Sequence, residues 1–260
     1  MAKNNQPEEA VTGQVLLYTK PEPLNPEQHG KLGIKKVDAP FKMAATQHLL
    51  PLTVTEFGLA ALSYPIIFVG ESYQPVVVMG VRDGDNLYFN AKGELEAETY
   101  VPAYLRRLPF VFAADETNEN FVLCVDTGNP QVVPGGELKL FDGNEPSALV
   151  KNAMEFCREF ETERRRTEDF VAILKDLDLF EVKEALFTPR NEDGSPAEPQ
   201  KVAEYFGVSE EKLNALPDAK ILELHKNGAL SQIYAHLFSL LGWERLIIRA
   251  LTRAPAAANA

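Results

Sequence analysis

Cysteine is scarce. Cys124 and Cys157 are the only two in 260 residues, and they lie far apart in apolar contexts. They make no C-x-x-C, so the common zinc and dithiol redox motifs are absent, and a disulfide-built scaffold is excluded. One disulfide between them stays open, although two buried thiols in a reducing compartment suit the apolar contexts better. Histidine is scarce too: His29, His48, His225 and His236 are the full set. None falls in H-x-H, H-E-x-x-H or a facial-triad spacing, and Gly228 interrupts the helical face that His225 and His236 could share. No metal is assigned.

Basic charge is in deficit. Lys plus Arg number 26 against 38 Asp plus Glu, a formal charge of −12. A broad phosphate-binding face is not expected on such a chain, which argues against nucleic acid as a partner. Uninterrupted apolar runs are missing as well. The stretch 66–81 is broken by Glu71, Gln74 and Pro75, and 237–251 by Glu244, Arg245 and Arg249, so no transmembrane segment is expected. Met1 to Ala10 is polar, with Lys3 as its only base and no apolar core behind it. That pattern is not a secretory signal, and a cytoplasmic location is the expectation. There is no G-x-S-x-G elbow, and Gly80-Val81-Arg82-Asp83-Gly84 makes neither G-x-G-x-x-G nor a Walker lysine motif. No catalytic residue and no cofactor is assigned.

What is present is a change of character along the chain. Residues 1–47 are rich in Pro, Lys and Glu and read as an extended arm with one short strand at most. In 48–136, Thr53-Val54-Thr55-Glu56 has the form of a capping box and predicts a short helix to Ser63, ended by Pro65. The β-branched runs Ile66–Val69 and Pro75–Val81 predict buried strands, with Leu87-Tyr88-Phe89 returning as a third. Tyr100–Arg107 predicts a short helix with proline in its first turn, and Phe110–Ala113 with Phe121–Val125 a β-hairpin. The part 137–253 is helix-rich. Helices are expected over Ser147–Arg166, Thr167–Leu177, Glu210–Leu216, Lys220–Lys226 and Ala229–Thr252, with one hairpin between Phe180–Thr188 and Val202–Phe206 across a turn at Asn191–Pro196. Residues 254–260 read as a disordered tail. The fold class is α+β: an antiparallel-rich sheet with small helices first, and a helix-rich half with one β-hairpin second. The later part either forms one compact domain with 48–136 or stands beside it, and its hairpin is free to join the first sheet.

The most distinctive polar cluster is Tyr100, Tyr104, Arg106 and Arg107. A guanidinium presents a planar donor fork suited to carboxylates, and neighbouring rings would help it hold an anionic peptide or small acid. The plain alternative is one arginine packed on acidic structure and its neighbour solvated. Arg164-Arg165-Arg166 is flanked by Glu159, Glu161, Glu163, Glu168 and Asp169 and reads as a solvated, internally neutralised surface. In the terminal helix, Trp243 and an apolar face wider than a core stripe leave room for a partner or homodimer contact.

Several segments together resemble the SapC family of bacterial proteins. They are Leu52–Phe57 with Tyr64–Phe68, then Tyr100–Phe110, then Leu224–Leu230 with Ile233–Leu240. The resemblance spans about His48 to Leu246, and the middle block is the most specific. It brings no catalytic residues. The family takes its name from a member associated with a bacterial surface layer, and its members tend to accompany outer-membrane uptake receptors and flavin-dependent halogenase-like proteins. The leading expectation is a non-enzymatic protein- or peptide-binding accessory factor. The alternatives are an enzyme acting on a small acid or peptide with an unrecognised cofactor, and a surface-layer component.

Overall fold

The structure, a computed structural model, describes residues 15–114, 121–188, 195 and 198–253. The chain opens with β1 (Pro21–Pro23), α1 (Pro26–His29) and β2 (Leu32–Ile34). A 3-10 turn over Lys42–Thr46, β3 (Leu49–Pro51), a second 3-10 turn over Val54–Glu56 and α2 (Phe57–Ala60) follow. Then come β4 (Ile66–Val69), β5 (Gln74–Val78), α3 (Ala103–Arg106), β6 (Phe110–Ala114) and β7 (Phe121–Asp126). Four short strands, β8 (Val132–Pro134), β9 (Leu138–Lys139), β10 (Phe141–Asp142) and β11 (Glu145–Pro146), lead into the long α4 (Ala148–Asp176). The hairpin β12 (Phe180–Phe187) and β13 (Gln200–Val208) precedes α5 (Glu210–Asn214), α6 (Asp218–Lys226), α7 (Ala229–Ser239) and α8 (Gly242–Thr252). All strand pairs are antiparallel, and the class is α+β.

Two compact units share the chain, each made of two stretches: Met1–Pro40 with Arg107–Glu159, and Phe41–Arg106 with Phe160–Ala260. In the first unit, the proline-rich segment is more structured than one strand at most. Pro21 and Pro23 sit on β1, the edge of the sheet β1-β7-β6, where a residue without an N–H leaves no ladder bond unmade on the open side. Pro26 begins α1, where its N–H would have no helical partner anyway. The buried Asp126 carboxylate accepts from the backbone N–H groups of Thr19, Lys20 and Gly128 and fixes the chain ahead of β1. β2 is the middle strand of β8-β2-β9; a Cβ on its Gly33 would lie 2.4 Å from the Gly136 carbonyl oxygen, so only glycine permits that approach. Ile34, Phe110, Leu123, Val125, Leu140 and Val150 form the core with Cys157.

The second unit holds a five-stranded sheet in the order β12-β13-β4-β5-β3, so the late hairpin does join the earlier strands. Phe68 is its packing centre, edge-on to Phe57, Phe180 and His236 at 6.3, 5.0 and 5.0 Å. The β13–β4 junction is short, with Phe206 opposite Phe68 as its one register pair. Side chains of α7 supply what the ladder lacks. Ile66 N–H donates to Ser239 Oγ at 2.9 Å, His236 Nδ1–H donates to the Ile66 carbonyl at 2.9 Å, and Val208 N–H donates to His236 Nε2 at 3.0 Å.

Three local expectations are corrected. The helix does not break at Thr167: α4 runs 29 residues without interruption, and the Thr167 hydroxyl turns back along it to donate to the Glu163 carbonyl at 2.6 Å. The terminal helix does break, between α7 and α8, where Ser239 is turned to the sheet and Gly242 packs against Pro65. Leu87-Tyr88-Phe89 is not a strand. The buried Asn86 amide donates to the Ala44 and Gln47 carbonyls and accepts from Tyr88 N–H, which holds the segment as turns. The tail at 254–260, the N-terminal residues 1–14 and, apart from Ser195, the turn at Asn191–Pro196 lie outside the described residues.

Candidate functional site

The capping box reads true at the atomic level and does more than cap. Glu56, 5% exposed, accepts from Thr53 N–H at 2.9 Å and Thr53 hydroxyl at 2.8 Å on one oxygen. Its other oxygen accepts from the Tyr100 hydroxyl at 2.9 Å and from Ala103 N–H at 2.6 Å, at the start of α3. Arg106 leans over this pair. Its Nε donates to the Val101 carbonyl at 3.1 Å, and one Nη lies 3.3 Å from the Tyr100 hydroxyl and 4.0 Å from the carboxylate. Burial, then the Glu56 charge, pushes the Tyr100 phenol up to about 12. Tyr100 and Arg106 therefore belong to one arrangement, while the buried Tyr104 of α3 stands edge-on to Phe160 at 6.3 Å. Arg107 belongs to the other compact unit, where it is 7% exposed and its guanidinium stands 5.4 Å from the Tyr18 ring centroid. The adjacent arginines thus face different surroundings, and only Arg106 reaches solvent.

Trp243 is 7% exposed and packs against Tyr205 with ring centroids 5.5 Å apart. The open apolar surface lies beside it. Leu62 after α2, Phe238 on α7 and Leu241 between the last two helices are 73, 67 and 79% exposed. They border a groove of about 720 Å³ whose other lining residues include Gly58, Ala61, Ala235, Gly242 and Tyr234. Tyr234 and Phe238 stack along one wall at 6.2 Å. The wide apolar face of the terminal helix is legible in its own sequence; the place where it opens is not. The signal was Leu59 and Leu62 flanking small residues in α2, which a core helix of that length would not expose.

Three arginines fasten α8 to the preceding loops. Arg253 donates to Asp85 and to the Asn86 and Phe89 carbonyls. Arg249 holds both oxygens of Glu96 at 2.9 and 2.8 Å and covers the Tyr88 ring at 4.6 Å. Arg245 donates to the Leu62 and Ser63 carbonyls, each at 3.1 Å, and lines the groove. Four-residue spacing puts Arg245 and Arg249 on one helix face, and Arg253 follows as the extended residue that ends α8.

The remaining chemistry is held in place. His236 is fully buried with both ring nitrogens engaged, and burial pushes it down to about 4, so it is a neutral structural residue. His225 is exposed. Cys124 and Cys157 are buried free thiols, and burial raises Cys124 to about 11, which suppresses thiolate reactivity. Arg164 pairs with Glu161 and Glu168 along α4. Among the described residues no three His, Cys, Asp or Glu side chains converge as a metal site, and no helix is long and apolar enough to cross a membrane.

An α+β chain with an apolar, helix-walled groove and a fully hydrogen-bonded Glu56–Tyr100 cluster is the class these features define. The chain belongs to the SapC family, whose model matches residues 24–246 and so takes in both compact units. No curated protein and no solved structure matches it.

Proposed function

We propose that this SapC-family protein is a non-enzymatic accessory factor that docks a protein or peptide in the α2–α7–α8 groove, in a bacterial surface or nutrient-uptake system. The observation that carries the reading is the concentration of open apolar side chains there: Leu62, Phe238 and Leu241 are each more than two-thirds exposed around one concave surface. A chain of net charge −12 has no shortage of polar side chains for that surface, and an apolar patch rimmed by polar groups is the usual mark of a partner site. The Tyr100–Arg106 cluster supports the same reading indirectly, by fixing α3 and the region around α2 through Glu56 and Ser63. Arg106 is the solvent-exposed member of that cluster.

The experiment is capture of partners from the native host by the tagged full chain, in parallel with Leu62→Glu/Phe238→Glu and Arg106→Gln. Both variants alter exposed side chains, so native circular dichroism is expected, with an unfolding midpoint near the wild type's for the groove variant and a small decrease for Arg106→Gln, which loses its bonds to Val101 and Tyr100. A stoichiometric partner lost on the groove variant and kept on Arg106→Gln is the predicted result. A partner retained by the groove variant would remove the groove from the account.

A further inference from the structure

The arginines at and just after α8 differ in one respect that bears on what the groove receives. Arg249 is neutralised by Glu96 and Arg253 by Asp85. Arg245, the one that lines the groove, uses one nitrogen on two backbone carbonyls, and among the described residues its Nε and other Nη have no partner and no carboxylate pairs with it. Among the described residues it is also the only charged one of the lining, on a chain with a net charge of −12. An exposed guanidinium pinned on one side and open on the other is a preorganised carboxylate receptor, because the rotamer entropy that binding would cost has already been lost.

The walls dictate the backbone of the occupant. They are helices, whose amides and carbonyls are internally bonded, so an extended peptide would lay unpaired main-chain groups on an apolar surface. A helix satisfies its own backbone and presents apolar side chains at i, i+3 and i+7. Gly58, Ala61, Ala235 and Gly242 leave room for such a helix to approach closely.

We propose that the α2–α7–α8 groove receives an amphipathic helical segment of a partner protein, with apolar side chains against Leu62, Phe238 and Leu241 and one acidic side chain paired with Arg245. The proposal rests on the docking reading above and adds the chemistry of the ligand.

The probe is a displayed library of random peptides of about four helical turns (roughly 15 residues), selected on the intact chain. Gly58→Leu is the blocking variant: a Cβ there meets nothing within 4 Å, so the fold tolerates it while the groove fills. The expected peptides combine helical apolar spacing with an Asp or Glu, and lose binding to Gly58→Leu. Replacing the acid by its amide weakens binding to the wild type by about tenfold, and by much less to Arg245→Gln. Peptides lost on Gly58→Leu but showing no acid coupling overturn this proposal and leave the docking reading standing. Absence of enrichment, enrichment that survives both Gly58→Leu and Leu62→Glu/Phe238→Glu, or a wild-type dimer that Gly58→Leu converts to monomer in sedimentation velocity overturns the proposal outright.

Discussion

At the scale of single residues, stability is concentrated in a few buried polar groups. Glu56 receives four hydrogen bonds from Thr53, Tyr100 and Ala103. Glu56→Gln turns an NH2 toward two of those donors, and the loss should be roughly 2 kcal/mol or more in urea unfolding, with Glu56→Ala larger still. Thr167 accepts from Val54 N–H at 2.8 Å, a buried pair. Thr167→Val keeps the shape and leaves that N–H unpaired, at a cost of about 1–3 kcal/mol, while Thr167→Ser should recover most of it. His236 gives a pH signature. Its folded value, about 4, lies below the ordinary 6.5, so the unfolded chain takes up the proton first as pH falls. The stability from keeping it neutral is complete above pH 6.5 and is lost as pH drops toward 4, by roughly 2–3 kcal/mol at pH 4.5. Carboxylates titrate over the same range, so the measurement is the difference in urea midpoint shift, pH 7.5 to 4.5, between wild type and His236→Gln; equal shifts would contradict the assignment.

At the scale of elements, helix and strand identity was largely legible because hydrophobic period and cap chemistry are local. The hairpins β4–β5 and β6–β7, the capping box and the stop at Gly228, which adopts φ +81°, all stand where the residues put them. What was not legible depended on distant partners. Thr167 reads as the start of a second helix, whereas its hydroxyl bonds within one continuous α4, and Leu87–Phe89 reads as a strand until the Asn86 amide intervenes. The same holds for the site: the Tyr100–Arg107 block stands out by composition, yet no local pattern signals that Glu56 bonds to it or that Arg107 faces Tyr18. The α8 arginines were visible only as interruptions of an apolar run. Their partners are exposed to about a third or more, so each pair adds little to global stability. Arg249→Gln should therefore leave the unfolding midpoint within about 1 kcal/mol while raising hydrogen exchange of the α8 amides, a local fraying. Unchanged exchange would show that apolar packing alone holds the helix.

At the scale of the molecule, the chain weaves two compact units out of alternating stretches, and the family match covers both. The first unit closes over its apolar core and keeps its two thiols inside. The second exposes the groove. An acidic chain leaving Leu62, Phe238 and Leu241 open around a lone arginine is hard to account for by stability, since those side chains gain little from burial in the isolated protein. A docked partner accounts for them. The most direct measurement places a photo-crosslinking amino acid at Phe238 in the native host, with the exposed Val182 of β12 as the comparison position. The account predicts a discrete protein adduct from position 238 that is absent from position 182 and abolished by Gly58→Leu. No adduct at 238, or the same adducts from both positions, would contradict it.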